Sequence, residues 1–215
     1  MLNIKTQIIA EAADAEMELA MLGLTTEIVK KVARQSRSAK METLPIDPCN
    51  SPGTQAYIYG VRAIRKALLR KKGWRMCRKG NLEATVNDVL GVQVLFQNVD
   101  LACNPTKDPE SISGKGSGSR SRIKSGNQGE LFNGNQPRRL GKIGTTPKVW
   151  LVCISSDENS LQAEVSAPKD FEGDDFNGFS KRIFVVNEKF EPQVEVSSNN
   201  EDSDGPAIEV LVKKK

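Results

Sequence analysis

Between Asp47 and Glu83 the chain carries nine cationic side chains and not one Asp or Glu. They are Arg62, Arg65, Lys66, Arg70, Lys71, Lys72, Arg75, Arg78 and Lys79. A helix usually relieves such repulsion with an acid three or four residues away, and no acid is in reach here. The charge must be met by a remote part of the chain or by a polyanionic partner. Within the stretch, Tyr57, Val61, Ile64 and Leu68 follow the rhythm of one helix face while Arg62, Arg65, Lys66 and Arg70 fall on another. The spacing predicts a basic amphipathic helix, with Ser51 as N-cap, Pro52 in the first turn and Gly73 as the stop.

Upstream, Ile4, Ile8, Ala12, Ala15, Leu19 and Leu22 recur at helical spacing among Glu11, Asp14, Glu16 and Glu18, predicting an acidic helix over 4–22. Gly23 ends it, Thr25 or Thr26 caps a basic second helix, and two helices so closely joined are expected to pack as a hairpin. Residues 38–52, with three prolines, form a connector. Downstream the chemistry changes. Residues 83–99 alternate Val92, Val94 and Phe96 with Gln93, Leu95 and Gln97, and 148–154, 161–167, 183–186, 193–196 and 207–212 are further strand-like runs.

Helices followed by strands, without βαβ alternation, give an α+β fold: N-terminal helices, then a mainly antiparallel sheet with a long Gly/Ser/basic loop inserted. The expected organisation is a helical region over 1–82 with the basic helix and a β-rich region over 83–215 containing the loop at 104–147, as two units or as one domain. That loop includes GKGSGSRSRIK, whose Lys115, Arg120, Arg122 and Lys124, with Arg138 and Arg139 beyond, add charge where glycine permits close backbone approach. It lacks the order of a P-loop.

Histidine is absent, which removes the Ser-His and Cys-His nucleophile systems. Cys49, Cys77, Cys103 and Cys153 form no C-x-x-C pair, so reduced cysteines and no metal or cofactor are expected. Asn200 to Gly205 begins like a calcium loop, but its twelfth position falls on Leu211 where a glutamate is needed. The 38–52 connector is too long for the turn of a helix-turn-helix. No apolar run is long enough to span a membrane, and acidic residues arrive early in the chain, so a cytoplasmic location is expected.

These features point to a non-enzymatic nucleic-acid-binding protein, for DNA or RNA, in which the nine cations and the six of the loop contact phosphates. One alternative is an assembly subunit whose basic surface meets an acidic protein or the acidic C-terminal part of this chain. Another is a carboxylate- and metal-dependent nuclease, which would need carboxylates converging near a lysine.

Overall fold

A computed structural model describes residues 5–79, 82–112, 147–169, 171–172, 175–176 and 178–190. The fold is α+β: three helices lie on one face of a seven-stranded mixed sheet. In chain order the elements are β1 (Gln7–Ile9), α1 (Ala12–Met21), α2 (Thr26–Met41), α3 (Ser51–Leu68), β2 (Trp74–Lys79), β3 (Leu82–Asn87), β4 (Val92–Asn98), β5 (Lys148–Ser156), β6 (Ser160–Pro168), β7 (Phe171–Glu172), β8 (Asp175–Phe176) and β9 (Phe179–Lys189). The sheet order is β1-β9-β6-β5-β4-β3-β2, and β7 and β8 pair separately. β4 runs parallel to β5 and β1 parallel to β9, while the other neighbours in the large sheet are antiparallel.

Several local expectations are corrected. The first helix begins at Ala12 rather than residue 4, because Gln7, Ile8 and Ile9 pair with Lys181, Arg182 and Ile183 as an edge strand. Apolar residues at helical spacing also suited a strand end, and tertiary pairing decided between them. Nor do α1 and α2 form the main helical pair: α2 packs chiefly on α3, and α1 sits on β9, where Lys181 Nζ donates to Glu18 Oε1 at 2.7 Å. Thr25 is the N-cap of α2, its hydroxyl accepting from the Ile28 amide at 3.2 Å, and Glu16 of α1 accepts from the amide of Thr26 at 2.9 Å. The acid of the first helix thus serves the positive end of the second rather than its basic side chains. Asn50, not Ser51, is the N-cap of α3, while Pro52 occupies the first turn as expected.

On the helix side the core contains Leu19, Val29, Val32, Ile64 and Leu68 from the helices against Val94, Phe96, Trp150, Val152, Val165 and Ile183 from the sheet. The alternation in β4 is as read from the sequence: Val92, Val94 and Phe96 face the helices. Yet Gln93, Leu95 and Gln97 on the opposite face are buried too. A second core there contains Ala84, Val86, Leu95, Val149, Leu151 and Cys153, together with Val99, Ala102 and Cys103. Parallel neighbours cannot be joined by a tight turn, so the chain from β4 to β5 must cross over, and its first part, residues 99–112, lies as a strap on this face.

The strap is held by a buried charge. Arg182 and Glu164, on neighbouring strands, are 1% and 0% exposed and form two bonds of 2.8 and 2.7 Å. Arg182 also donates to the carbonyls of Asn104 and Lys107 and to Asp108, while Glu164 accepts from the Cys103 amide at 2.7 Å. Cys103 takes the left-handed conformation, φ 55°, and its thiol donates to the carbonyls of Ala163 and Val186, where β6 and β9 slip register by one residue. Burial, with Glu164 second, pushes that thiol up to about 12, so it stays protonated and acts as a hydrogen-bond donor.

Two expected outcomes follow. Gly60 of α3 lies where the helix meets Phe96, and a Cβ there would stand 2.1 Å from the ring. Because Phe96 is itself buried and edge-packed by Tyr57, Gly60→Ala should destabilise by about 1–3 kcal/mol despite alanine's better helix propensity, read as a lower urea midpoint at unchanged slope. Glu164→Ala leaves Arg182 buried without its partner and should cost about 3–5 kcal/mol. In the same measurement Lys107→Ala, an exposed strap residue, should cost less than about 1 kcal/mol.

Candidate nucleic-acid interface

The helix α3 and the strand β2 follow each other through a tight turn in which Gly73 has φ 87°. The chain reverses there, so β2 becomes the outer strand of the sheet beside α3. Between them lies a groove of about 620 Å³. One wall is α3 and the turn just after it, with Tyr57, Ile58, Val61 and Leu69 as apolar surface and Arg62, Arg65, Lys66 and Arg70 as cations. Met76 of β2 and Glu83 of β3 close the other side. The sequence pattern placed four cations on one helix face, and the structure brings those four to one concavity.

The apolar surface of the groove is open. Ile58 is 41% exposed and Met76 51%, and Tyr57 keeps about a third of its surface free while its ring meets Phe96 edge-on with centroids 6.0 Å apart. Burial, then Glu83, raises the Tyr57 phenol above its ordinary value, so it remains a hydrogen-bond donor. Arg62 lies over the Tyr59 ring at 4.5 Å. Trp74, by contrast, is packed into the helix-side core.

The answer to the acid-free stretch lies in the β2–β3 hairpin and the turn after it. Glu83 accepts from Arg65, and from Arg78 at 3.2 Å. Asp88 takes Arg75 in a two-bonded pair of 2.7 and 2.8 Å. Both carboxyls are held below their ordinary values, in each case chiefly by the arginine hydrogen bond. Lys71 turns away to the Gly23 carbonyl at 3.2 Å. The side chains of Lys66, Arg70 and Lys72 make no ion pair or hydrogen bond with another described residue. Arg65 has a further feature: its Nε is buried with no acceptor among the described residues.

The expected phosphate contacts thus separate. Arg62, Arg65, Lys66 and Arg70 line the groove, Lys72 is exposed in the turn, and Arg75 and Arg78 lie on β2 in ion pairs with Asp88 and Glu83. Lys79 ends β2, and only its backbone is described. Lys115, Arg120, Arg122, Lys124, Arg138 and Arg139 lie outside the described residues, as do the calcium-like run at 200–205 and the strand-like runs at 193–196 and 207–212. Sequence reading missed β2, and with it Met76 and Glu83 as parts of the site. The signal was present in Trp74-Arg75-Met76, which alternates apolar and charged residues after a glycine stop.

Among the described residues no group of three or more His, Cys, Asp or Glu is placed to hold a metal ion. No helix among them is long and apolar enough to cross a membrane. Compared with family models, curated proteins and solved structures, the chain matches none.

The Glu83 pairs give a pH signature. A carboxyl whose folded value is depressed contributes stability that is present above the unfolded value, about 4.3, and is lost as pH falls through the lower folded value. Glu83→Gln should therefore lower stability at pH 7 and flatten its decline between about pH 5 and pH 2, measured by urea unfolding across that range.

Proposed function

We propose that the protein binds nucleic acid without chemically altering it, holding a single strand in the groove between α3 and β2. The observation that carries this reading is the combination within one concavity of open apolar and aromatic surface with cations that have no described protein partner, Lys66 and Arg70. Single-stranded nucleic acid needs both, since phosphates follow the cations while bases lie against ring or aliphatic surface. A duplex would meet mainly charge. Arg75 and Arg78 are secondary, because their charge already meets Asp88 and Glu83. Tyr57 offers the stacking surface.

A second reading, assembly with an acidic protein segment, is favoured by the position of β2 as the outer strand of the sheet among the described residues, beside the same groove.

The test is fluorescence anisotropy with labelled single-stranded DNA, single-stranded RNA and duplex DNA at two salt concentrations. The variant Arg62→Ala/Lys66→Ala/Arg70→Ala should keep the parent's melting temperature within a few degrees, as all three are exposed and such positions tolerate alanine. It should bind single strands at least tenfold more weakly, and the slope of log affinity against log salt should fall by about 0.7 for each phosphate that the variant no longer neutralises. A folded triple variant with the parent's affinity and slope removes the proposal.

A further inference from the structure

Glu83 is the one acid among the residues that line the groove between α3 and β2, and a carboxylate there works against the binding of phosphate. Its pairing with arginine accounts for only half of it. Arg65 and Arg78 both donate to the same oxygen, Oε2, and occupy its two lone pairs, while Oε1 accepts from no other described residue. The side chain is 31% exposed and Oε1 is not among the buried atoms without a partner, so this oxygen is open to solvent at the groove. We propose that Glu83 Oε1 reads a base of the bound strand, and that the base is guanine.

The choice of base follows from what each one offers. A single strand leaves its Watson–Crick edges free for protein contacts. Guanine carries N1–H and the exocyclic N2 amine side by side, two donors for the two lone pairs of one oxygen. Adenine and cytosine place their amine next to a ring-nitrogen acceptor, and thymine or uracil sets its one N–H between two carbonyls. Those lone pairs repel a carboxylate. Hydrogen bonds to an ionised acceptor are the strong class, and guanine alone makes two of them without an opposing lone pair.

The surroundings of Glu83 suit that task. Its arginine partners come from α3 and from β2, so the carboxylate is anchored from both sides of the groove, and their bonds keep it ionised. Tyr57, the stacking surface, is close enough that Glu83, after burial, raises its phenol. A base resting on that ring therefore brings its edge into the field of the carboxylate. Lys66 and Arg70 belong to the helix wall and Glu83 to β3, so the charges turn the strand's phosphates toward the helix and its base edges toward the sheet. Arginine also reads guanine, but at O6 and N7. The two modes differ at one group, the exocyclic amine, which a carboxylate needs and an arginine does not touch.

Base reading rests on the nucleic-acid function proposed above, and the experiment separates failure of the one from failure of the other. Fluorescence anisotropy of the full chain would use single-stranded DNA decamers alternating thymine with guanine, hypoxanthine, adenine or cytosine, in lithium salt so that guanine quartets do not form. Hypoxanthine is guanine without the exocyclic amine. The parent should bind the guanine decamer at least about fivefold more tightly than each of the other three. Glu83→Gln should bring the guanine-to-hypoxanthine ratio below about twofold, a ratio that a change in overall affinity or stability does not move. If that variant does not fold, Glu83→Asp, which keeps the charge but withdraws the oxygen by one methylene, should narrow the same ratio. Equal binding of the guanine and hypoxanthine decamers by the parent overturns base reading by Glu83 while leaving strand binding intact. So does a ratio that stays at the parent's value in the folded variant. If the parent binds none of the decamers, the nucleic-acid reading itself fails, and base reading with it.

Discussion

The ion pair between Arg182 and Glu164 is the constraint on which the two-faced sheet depends. Because β4 and β5 are parallel, the chain between them has to travel along a face of the sheet, and helices already cover the other one. A strap in that position brings backbone carbonyls over an apolar surface, where unpaired polar groups cost about 1–3 kcal/mol each. Arg182 answers two of them, at Asn104 and Lys107, while Glu164 takes the Cys103 amide. Desolvating both charges is itself expensive, and their mutual bonds and those to the strap offset that cost. The arrangement fixes the strap's position more than it adds to net stability. Its cysteine fits the same logic, since the thiol fills the place where β6 and β9 slip register and donates to carbonyls there.

Among the described residues β2 is the strand at the far edge of the sheet from β1. The helix-side core holds α3 through Ile64 and Leu68, and the close approach of Gly60 to Phe96 seats the helix on β4. With α3 so placed, its remaining surface overhangs β2, and the groove follows. The charge distribution then divides by position. Arginines nearest the hairpin, Arg65, Arg75 and Arg78, meet Glu83 and Asp88, whereas Lys66, Arg70 and Lys72 stand beyond those carboxylates.

Much of this was legible in the sequence where a single periodicity governed. The basic helix at 51–68 and the alternation of β4 were readable because each was long, amphipathic and bounded by its own stop signals. β1 was not, since three residues of apolar pattern satisfy either period and only pairing with β9 chooses. The face opposite the helices was hidden for a different reason. Gln93 and Gln97 look like solvent-facing residues in an alternating strand, but both are buried under a crossover whose necessity depends on which strands are neighbours, and strand order is not a local property. Likewise the acid-free stretch announced that a remote counter-charge was needed without saying that Glu83, at its very boundary, would be brought back by a hairpin.

The shape of the groove also bears on which anion suits it. A basic helix standing proud of a surface can enter the major groove of duplex DNA, but α3 has β2 alongside and offers its cations on the wall of a concavity. A concavity of this kind suits an extended chain, whether a single nucleic-acid strand or a peptide strand. Both ligands would use the same two resources: cations along the rim, and the apolar surface of Tyr57, Ile58, Leu69 and Met76. They differ in one respect. Only a peptide can add to the sheet beside β2, while only a nucleic acid gains from neutralising every cation by releasing counterions. Salt should therefore weaken a bound nucleic acid much more steeply than it weakens a bound peptide strand, and the salt dependence separates the two readings of the groove.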